Sequence, residues 1–184
     1  MNDPRGIIIF GSPGSGKTTL GKEVAKRLDY QYFDIDDYIW RWDTEMPYSV
    51  MRTREEKISL LMNAISKCSH FVMAGSMDSF SEPFEPLFEL AVLHTAPAEI
   101  RAARLETRNI EQWGARAMPG GDIFEIKKYD FWKIAQSYDD ETGSPCFKKH
   151  KKWAEALACP VLYTDGTKPI AENAKLIAEK YISI

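Results

Sequence analysis

The segment Gly11-Ser12-Pro13-Gly14-Ser15-Gly16-Lys17-Thr18 constrains the fold of this chain more than any other part of its sequence. It matches the pattern G-x-x-x-x-G-K-[ST], in which backbone amides and a lysine surround phosphate groups. The short apolar run Gly6–Phe10 before it is typical of a strand buried on both faces, and Lys17–Leu28 after it has helical spacing. A strand, a glycine-rich turn and a helix are the context that this motif requires, so the sequence predicts a phosphate-binding loop.

The residue types of this loop suit nucleotide binding. Its three glycines allow backbone amides to turn towards phosphate oxygens, and the helix that follows adds the positive end of its dipole. Lys17 supplies a positive charge for the β and γ phosphates, and the Thr18 hydroxyl is a ligand for Mg²⁺. We therefore expect the residues from Gly11 through Thr18, together with Thr19, to bind a nucleotide.

The rest of the chain alternates strands with helices. Apolar runs predict five strands, at Gly6–Phe10, Gln31–Asp34, His70–Ala74, Leu90–Leu93 and Pro160–Tyr163. Such alternation indicates an α/β fold with a parallel sheet covered by helices on both faces, which is a three-layer sandwich. No linker separates two cores, so we expect one domain over residues 1–184. Within it, Asn109–Gly121 loses apolar periodicity after a helix predicted to end near Arg108, and it is expected to be a mobile segment.

Composition excludes several classes of partner. The net charge is −3 and 44% of the residues are apolar, which argues against disorder and against binding to nucleic acid. The early apolar run is far too short to cross a membrane. The three cysteines form no C-x-x-C pair, so reduced thiols, no structural zinc and a cytoplasmic location are expected. We expect a monomer or a homodimer.

The histidines carry no recognisable metal pattern. His70, His94 and His150 form no pair at the spacing of metal ligands, and ordinary structural histidines are the simpler interpretation. Four lysines surround His150, at positions 148, 149, 151 and 152, and they predict a solvated helix face, with contact to an anionic substrate as the alternative.

The acidic residues separate classes of P-loop protein. A GTPase would carry an Asn-Lys-x-Asp segment, which is absent, and a motor-type or AAA+ ATPase would end its third strand in acid. Here the third strand runs into Gly75-Ser76, and no carboxylate occurs before Asp78. The acids follow the second strand instead, in Asp34-Ile35-Asp36-Asp37.

With these motifs the chain resembles the small P-loop kinases of the adenylate, shikimate and gluconate kinase group. It also resembles an uncharacterised group of bacterial kinase-like ATP-binding proteins that share D-D-Y-x-W, here Asp36–Trp40. The resemblance implies strand order 2-3-1-4-5, a mobile lid over about residues 109–121, and the use of ATP with Mg²⁺. It further implies that Asp34 lies near Mg²⁺ and that Asp36 holds or deprotonates the acceptor.

The acceptor region departs from shikimate kinase. Ala-Gly-Ser replaces a run of glycines after the third strand, and Trp40 and Trp42 follow the acidic segment, which argues against shikimate itself. Gly75, Ser76 and Trp40 are candidate acceptor-binding residues. The alternatives are that Asp34 and Asp36 form a polar strand end and a helix cap, and that the tryptophans belong to the core or its rim.

Several arginines follow Pro97. Arg101, Arg104 and Arg108 share one helix face, where a solvated stripe paired with glutamates is an equally good interpretation for the first two. The resemblance implies that Arg108 stacks on adenine and that Arg116 reaches the phosphates, roles that suit a planar guanidinium. It also implies that the loop containing Lys168 and Pro169 forms the opposite wall of the adenine site.

Together these features predict transfer of a phosphoryl group from ATP to a small-molecule or nucleotide acceptor. Lys17, Arg116 and the metal would offset charge on the transferred group. The rival hypothesis is an ATP-binding regulatory protein, or an ATPase that does not phosphorylate a small acceptor. The sequence leaves nucleosides, nucleoside monophosphates, sugar acids and antibiotics open as acceptors.

Overall fold

A five-stranded parallel sheet forms the centre of the structure. The computed structural model describes residues 3–44, 49–127 and 130–184. The strands are β1 (Arg5–Gly11), β2 (Gln31–Asp34), β3 (His70–Ala74), β4 (Phe88–Thr95) and β5 (Val161–Asp165). They lie in the order β2-β3-β1-β4-β5, and all four neighbouring pairs are parallel. The predicted fold class and strand order are therefore confirmed.

Helices connect the strands and cover both faces of the sheet. The α-helices are α1 (Lys17–Leu28), α2 (Asp36–Ile39), α3 (Arg54–Ile65), α4 (Ala98–Trp113), α5 (Asp122–Lys127), α6 (Phe131–Asp139), α7 (Phe147–Ala156) and α8 (Ile170–Ile182). Short 3-10 helices occupy Glu85–Leu87 and Gly114–Ala117. Within the described residues, no helix combines the length and the apolar character needed to cross a membrane.

The central strand β1 explains why there are two cores. Side chains alternate between the faces of a strand, so Ile8 and Phe10 pack with residues of α3 and α7. Ile7 and Ile9 point the other way and pack with residues of α1 and α8. All four side chains are fully buried, as a run of apolar residues without alternation predicts for a strand covered on both faces.

The parallel arrangement gathers the functional segments at one edge. The loop after β1, the acidic segment after β2 and Gly75-Ser76 after β3 all follow carboxyl ends of neighbouring strands. Ligands of open α/β sheets bind at this edge. Here Ile35 donates its amide to Ala74 O at 2.9 Å, which joins the acidic segment to the end of β3.

The predicted end of the helix after Pro97 is wrong. Instead of ending near Arg108, α4 continues to Trp113 and is followed directly by the 3-10 helix at Gly114–Ala117. Only Arg101 and Leu105 of α4 are buried, so the helix leaves the core before it ends. Its last turns consist largely of residues with acceptable helix propensity, which need no apolar periodicity because they face solvent.

Arg101 joins α4 to α6 and is a structural residue. Its side chain is completely buried, forms an ion pair with Asp139, and donates to Ala96 O at 2.6 Å and to Ala135 O at 3.0 Å. Its guanidinium also lies 5.4 Å from the centre of the Tyr138 ring. The interpretation of Arg101 as part of a solvated stripe is therefore wrong, because α6 covers this part of α4.

Candidate active site

The loop between β1 and α1 takes a conformation that only glycine permits. Gly11, Gly14 and Gly16 have φ values of 140°, 76° and 105°, which side-chain-bearing residues rarely adopt. A Cβ atom at Gly14 would lie 2.6 Å from Arg101 O, and one at Gly11 would lie 2.1 Å from His94 O. The glycines thus let the loop approach both β4 and α4 while it curls around the start of α1.

Two serine hydroxyls inside this loop lack partners. Ser12 Oγ and Ser15 Oγ are buried without a hydrogen bond to any part of the chain that the structure describes. Such groups cost about 1–3 kcal/mol each when they stay unsatisfied, so a site of this kind fits a ligand that carries hydrogen-bonding oxygens. The phosphates of a nucleotide fit that requirement.

Lys17, at the first position of α1, lies over the loop. Its Nζ donates to Ser12 O at 2.8 Å. Burial lowers the pKa of Lys17 to about 8, with Asp36 and Asp34 raising it and Arg108 lowering it further. An anion bound in the loop would restore the positive charge that burial disfavours.

Asp34 forms a polar cluster beside Lys17. Its Oδ2 accepts hydrogen bonds from Thr18 Oγ1 and from the Tyr32 hydroxyl, each at 3.2 Å, and its Oδ1 accepts from the Asp36 amide at 3.2 Å. The threonine hydroxyl and the carboxylate predicted to serve Mg²⁺ are thus adjacent. Because Mg²⁺ prefers oxygen ligands and uses few protein carboxylates, Thr18 and Asp34 fit such a site.

Asp36 begins α2 and shares the site with Asp34. Burial raises the pKa of the Asp36 carboxyl, and the negative charge of Asp34 raises it further. Lys17 and Arg108 act in the opposite direction. A carboxylate with a raised pKa is a stronger proton acceptor, which suits the role of a general base.

Two side chains that hold the phosphate-binding loop in place were not predicted from the sequence. The carbonyl of Ser15 accepts hydrogen bonds from His94 Nε2 at 3.1 Å and from Arg104 at 3.0 Å, and Arg104 also donates to Gly166 O at 3.0 Å. Burial, followed by the charge of Lys17, lowers the pKa of His94 to about 4, so the imidazole is neutral at pH 7. Since a carbonyl only accepts, the proton sits on Nε2, and Nδ1 accepts from Thr164 Oγ1 at 2.9 Å.

His94 and Arg104 both help to position the loop. His94 is a structural histidine, as expected, and it fixes one carbonyl of the phosphate-binding loop. Arg104 is exposed on α4, but its guanidinium joins this loop to the loop after β5 instead of pairing with a glutamate. The position of His94 directly after the apolar run Leu90–Leu93 could have indicated a buried histidine. Such a histidine needs hydrogen-bond partners, because buried polar groups are nearly always paired.

A second polar group, which no sequence pattern indicated, lies beside Ser76. His150 on α7 is almost fully buried, and its Nε2 lies 3.2 Å from Asp78 Oδ1 and 3.3 Å from Ser76 Oγ. Its Nδ1 lies 2.9 Å from the Tyr138 hydroxyl of α6. The four flanking lysines are exposed as predicted, whereas His150 itself points inward and fixes the loop after β3.

The arginines predicted to serve the nucleotide lie in different surroundings. Arg108 is exposed on α4, close enough to Lys17 and Asp36 to shift the pKa of both. Arg116 is also exposed and forms a two-pronged ion pair with Asp122, with distances of 2.9 and 2.7 Å. Its guanidinium lies 5.6 Å from the centre of the Trp113 ring.

The remaining predicted residues lie around the same edge. Gly75 donates its amide to Ile9 O at 3.0 Å, and Trp40 forms an isolated bridge with Met51. Lys168 forms an exposed ion pair with Glu172 just before α8, for which Pro169 is the N-terminal capping position. Thr19 is exposed on α1.

The chain is similar in sequence or in fold to known proteins. The chain is 28% identical over 182 residues to the uncharacterized protein YqaC of Bacillus subtilis, covering 97% of this chain and 98% of that protein. It is 33% identical over 73 residues to a shikimate kinase of Rippkaea orientalis, covering 37% and 39% of the two chains. The structure of shikimate kinase from Acinetobacter baumannii in complex with shikimate matches with a TM-score of 0.60 at 16% identity, over 98% and 94% of the chains.

A family model described as AAA domain matches residues 7–118, which is more than half of the chain and includes the phosphate-binding loop. The matched residues include the end of β3, which leads into Gly75-Ser76 without a carboxylate. The resemblance to small P-loop kinases of the shikimate and gluconate kinase type is confirmed. The chain belongs to the AAA domain family and has the fold of a small P-loop kinase.

Proposed function

We propose that the protein is a P-loop kinase that transfers the γ-phosphoryl group of ATP, with Mg²⁺, to a small-molecule or nucleotide acceptor. The observation that carries the proposal is the arrangement around Lys17. Its ammonium group lies over a loop with two unpartnered serine hydroxyls, and the carboxylates of Asp34 and Asp36 are close enough to influence its pKa. A phosphate site and an acidic acceptor side are thereby adjacent, which phosphoryl transfer requires.

The loop from Gly11 to Thr18 would bind the phosphates, with Lys17 at the transferred group. Thr18 and Asp34 would hold Mg²⁺, which offsets negative charge on the phosphates. Gly75, Ser76 and Trp40 would contact the acceptor. Their positions after β3 and after α2 support this assignment, because both segments adjoin the acidic cluster.

In the proposed reaction the acceptor hydroxyl oxygen forms a bond to the γ-phosphorus. The bond from that phosphorus to the bridging oxygen breaks, and ADP leaves with the electron pair. The hydroxyl proton passes to Asp36, whose raised pKa favours this transfer.

We further propose that residues 1–184 act as one domain with a lid at about residues 109–121. Arg116 would exchange Asp122 for the phosphates when the lid closes, and Arg108 would stack on adenine opposite Lys168 and Pro169. The exposed ion pair supports such an exchange, because pairs of this kind contribute at most about 1 kcal/mol.

ADP release in the presence of candidate acceptors tests the proposed function. The Lys17→Ala variant should lose at least about 10²-fold in acceptor-dependent turnover, because a charge at the transferring group is removed. Lys26→Ala, on an exposed position of the same helix, is the control and should keep parental turnover. Equal turnover in the Lys17→Ala variant and the parent would contradict the assignment, and turnover that no acceptor stimulates would favour a regulatory ATPase.

The pKa of Lys17 predicts a pH dependence of nucleotide affinity. Phosphate binding stabilises the charged ammonium, so above a pKa of about 8 the free protein must take up a proton when ATP binds. ATP affinity should therefore be nearly constant between pH 7 and about 8 and fall about tenfold per pH unit above that value. Calorimetry in buffers of different ionisation enthalpy measures the proton uptake, which should vanish in Lys17→Met.

Asp36→Asn separates the acceptor side from the nucleotide side. Loss of a general base should lower the rate of phosphoryl transfer by about 10²–10⁴, while the affinity for ATP with Mg²⁺ changes little. Single-turnover kinetics and calorimetry measure the two effects. If the variant instead loses nucleotide binding and keeps the rate, the roles assigned to Asp34 and Asp36 are reversed.

Hydrogen exchange tests the lid. We expect residues 109–121 to become protected when an ATP analogue binds, because the phosphates offer Arg116 a partner only in the closed form. Arg116→Ala should remove most of that protection. Asp122→Asn should give protection at an analogue concentration up to about fivefold lower, since it removes the competing partner. Unchanged exchange at saturation would show that this segment is not a lid.

A further inference from the structure

Lys57 on α3 is a buried lysine without a counter-ion. Its relative exposure is only 4%, and its ammonium nitrogen lies 5.7 Å from the centre of the Phe80 ring. Within residues 3–44, 49–127 and 130–184, no carboxylate or hydrogen-bond acceptor partners this nitrogen. Ser12 Oγ and Ser15 Oγ are the described side-chain atoms that are sealed from solvent without a partner. The Lys57 nitrogen differs from them, because it is not sealed from solvent.

The carboxylates that flank Phe80, and Glu56 beside Lys57, are engaged elsewhere. Asp78 faces His150, and Glu82 forms an ion pair with Arg54 at 2.7 Å. Glu56 accepts from the Thr53 amide at 2.8 Å, as one half of a capping box that starts α3. Each of these contacts holds a negative charge in a position that leaves Lys57 unpaired.

An unpaired ammonium in this position is unfavourable for the protein alone. Burial lowers the pKa of Lys57, because the charged form loses hydration without gaining a partner. Only the weak attraction of the Phe80 ring compensates. A bound anion would change this balance, since it supplies the missing charge and hydrogen bonds.

Lys57 lies on the side of the molecule where the proposed acceptor binds. The segment before α3 is tied to the end of α2, where Arg52 donates its amide to Ile39 O at 2.8 Å. The first residue of α3, Arg54, donates to Ser79 O at 2.9 Å in the loop that follows Gly75-Ser76. The start of α3 therefore lies between the helix that begins with Asp36 and the loop after β3.

We propose that Lys57 is a specificity-determining residue that binds an anionic group of the acceptor, a carboxylate or a phosphate. This inference rests on the proposed function and narrows its acceptors to hydroxy acids and phosphorylated hydroxyl compounds. The acceptor then carries two features, the hydroxyl that reacts near Asp36 and the anion that Lys57 holds. Neutral nucleosides and neutral sugars are poor acceptors, because they leave the ammonium unpaired.

Matched acceptor pairs test the proposal through ADP release. Each pair shares a scaffold and differs in one anionic group, for example gluconate with glucose, and a nucleoside monophosphate with its nucleoside. The anionic member should be preferred, and Lys57→Met should lower its kcat/KM about 10- to 100-fold, mainly through KM. Lys57→Arg should restore most of the loss. Lys67→Met, an exposed lysine just beyond α3, makes the same change in net charge and should have no effect.

A second measurement needs no phosphoryl transfer. With the phosphate-binding loop filled by a non-hydrolysable ATP analogue and Mg²⁺, inorganic phosphate or malonate should raise the unfolding temperature of the parent to a plateau. The same plateau should appear in Lys57→Arg and Lys67→Met and be lost in Lys57→Met. Comparison of the two probes shows whether the site prefers phosphate or carboxylate.

The outcomes separate this inference from the proposed function. Equal use of neutral and anionic acceptors, or parental behaviour of Lys57→Met in either measurement, overturns the role of Lys57 while phosphoryl transfer stands. A parent without a saturable anion effect also overturns it. Anion binding that depends on Lys57, together with no acceptor-dependent ADP release, contradicts the kinase and leaves the anion site intact.

Discussion

The position of the phosphate-binding loop depends on one carbonyl group. Ser15 O accepts hydrogen bonds from His94 and Arg104, two side chains that originate in β4 and α4. They can reach it because glycines allow the loop backbone to approach both elements within distances that a Cβ would block. The loop is thus held from below by the sheet and from the side by a helix, while its inner serine hydroxyls stay without partners.

The electrostatics of the site follow from this placement. Lys17 is held where burial disfavours its charge, and Asp36 is held where burial and Asp34 disfavour its charge. Asp36 raises the pKa of Lys17, and Lys17 lowers the pKa of Asp36, so their proximity stabilises both ionised forms. A polar edge with partly uncompensated charges of both signs is suited to a ligand that brings phosphates and a metal ion.

Segments with a local pattern were predicted well from the sequence. The bounds of β2, β3 and α1 agree with the prediction, since buried apolar runs and helical spacing depend on neighbouring residues alone. The capping box at the start of α3 is equally local, because Thr53 and Glu56 are only three residues apart. The predicted end of α4 was wrong because a solvated helix needs no apolar stripe. Arg101 was misjudged because α6 covers it, and Arg104 because it donates to carbonyls of two loops.

The sequence by itself therefore determined the alternation of strands and helices, the phosphate-binding loop and the acidic segment beside it, because each depends on a short local pattern. The strand order followed from the resemblance to small P-loop kinases. Only the tertiary structure decided which charges find partners. Tyr138, His150 and Asp78 meet although they belong to α6, α7 and the loop after β3. The same packing gives Asp78 and Glu82 partners other than Lys57. Pairing of this kind depends on distances between elements that are far apart in the chain, and no local pattern records those distances.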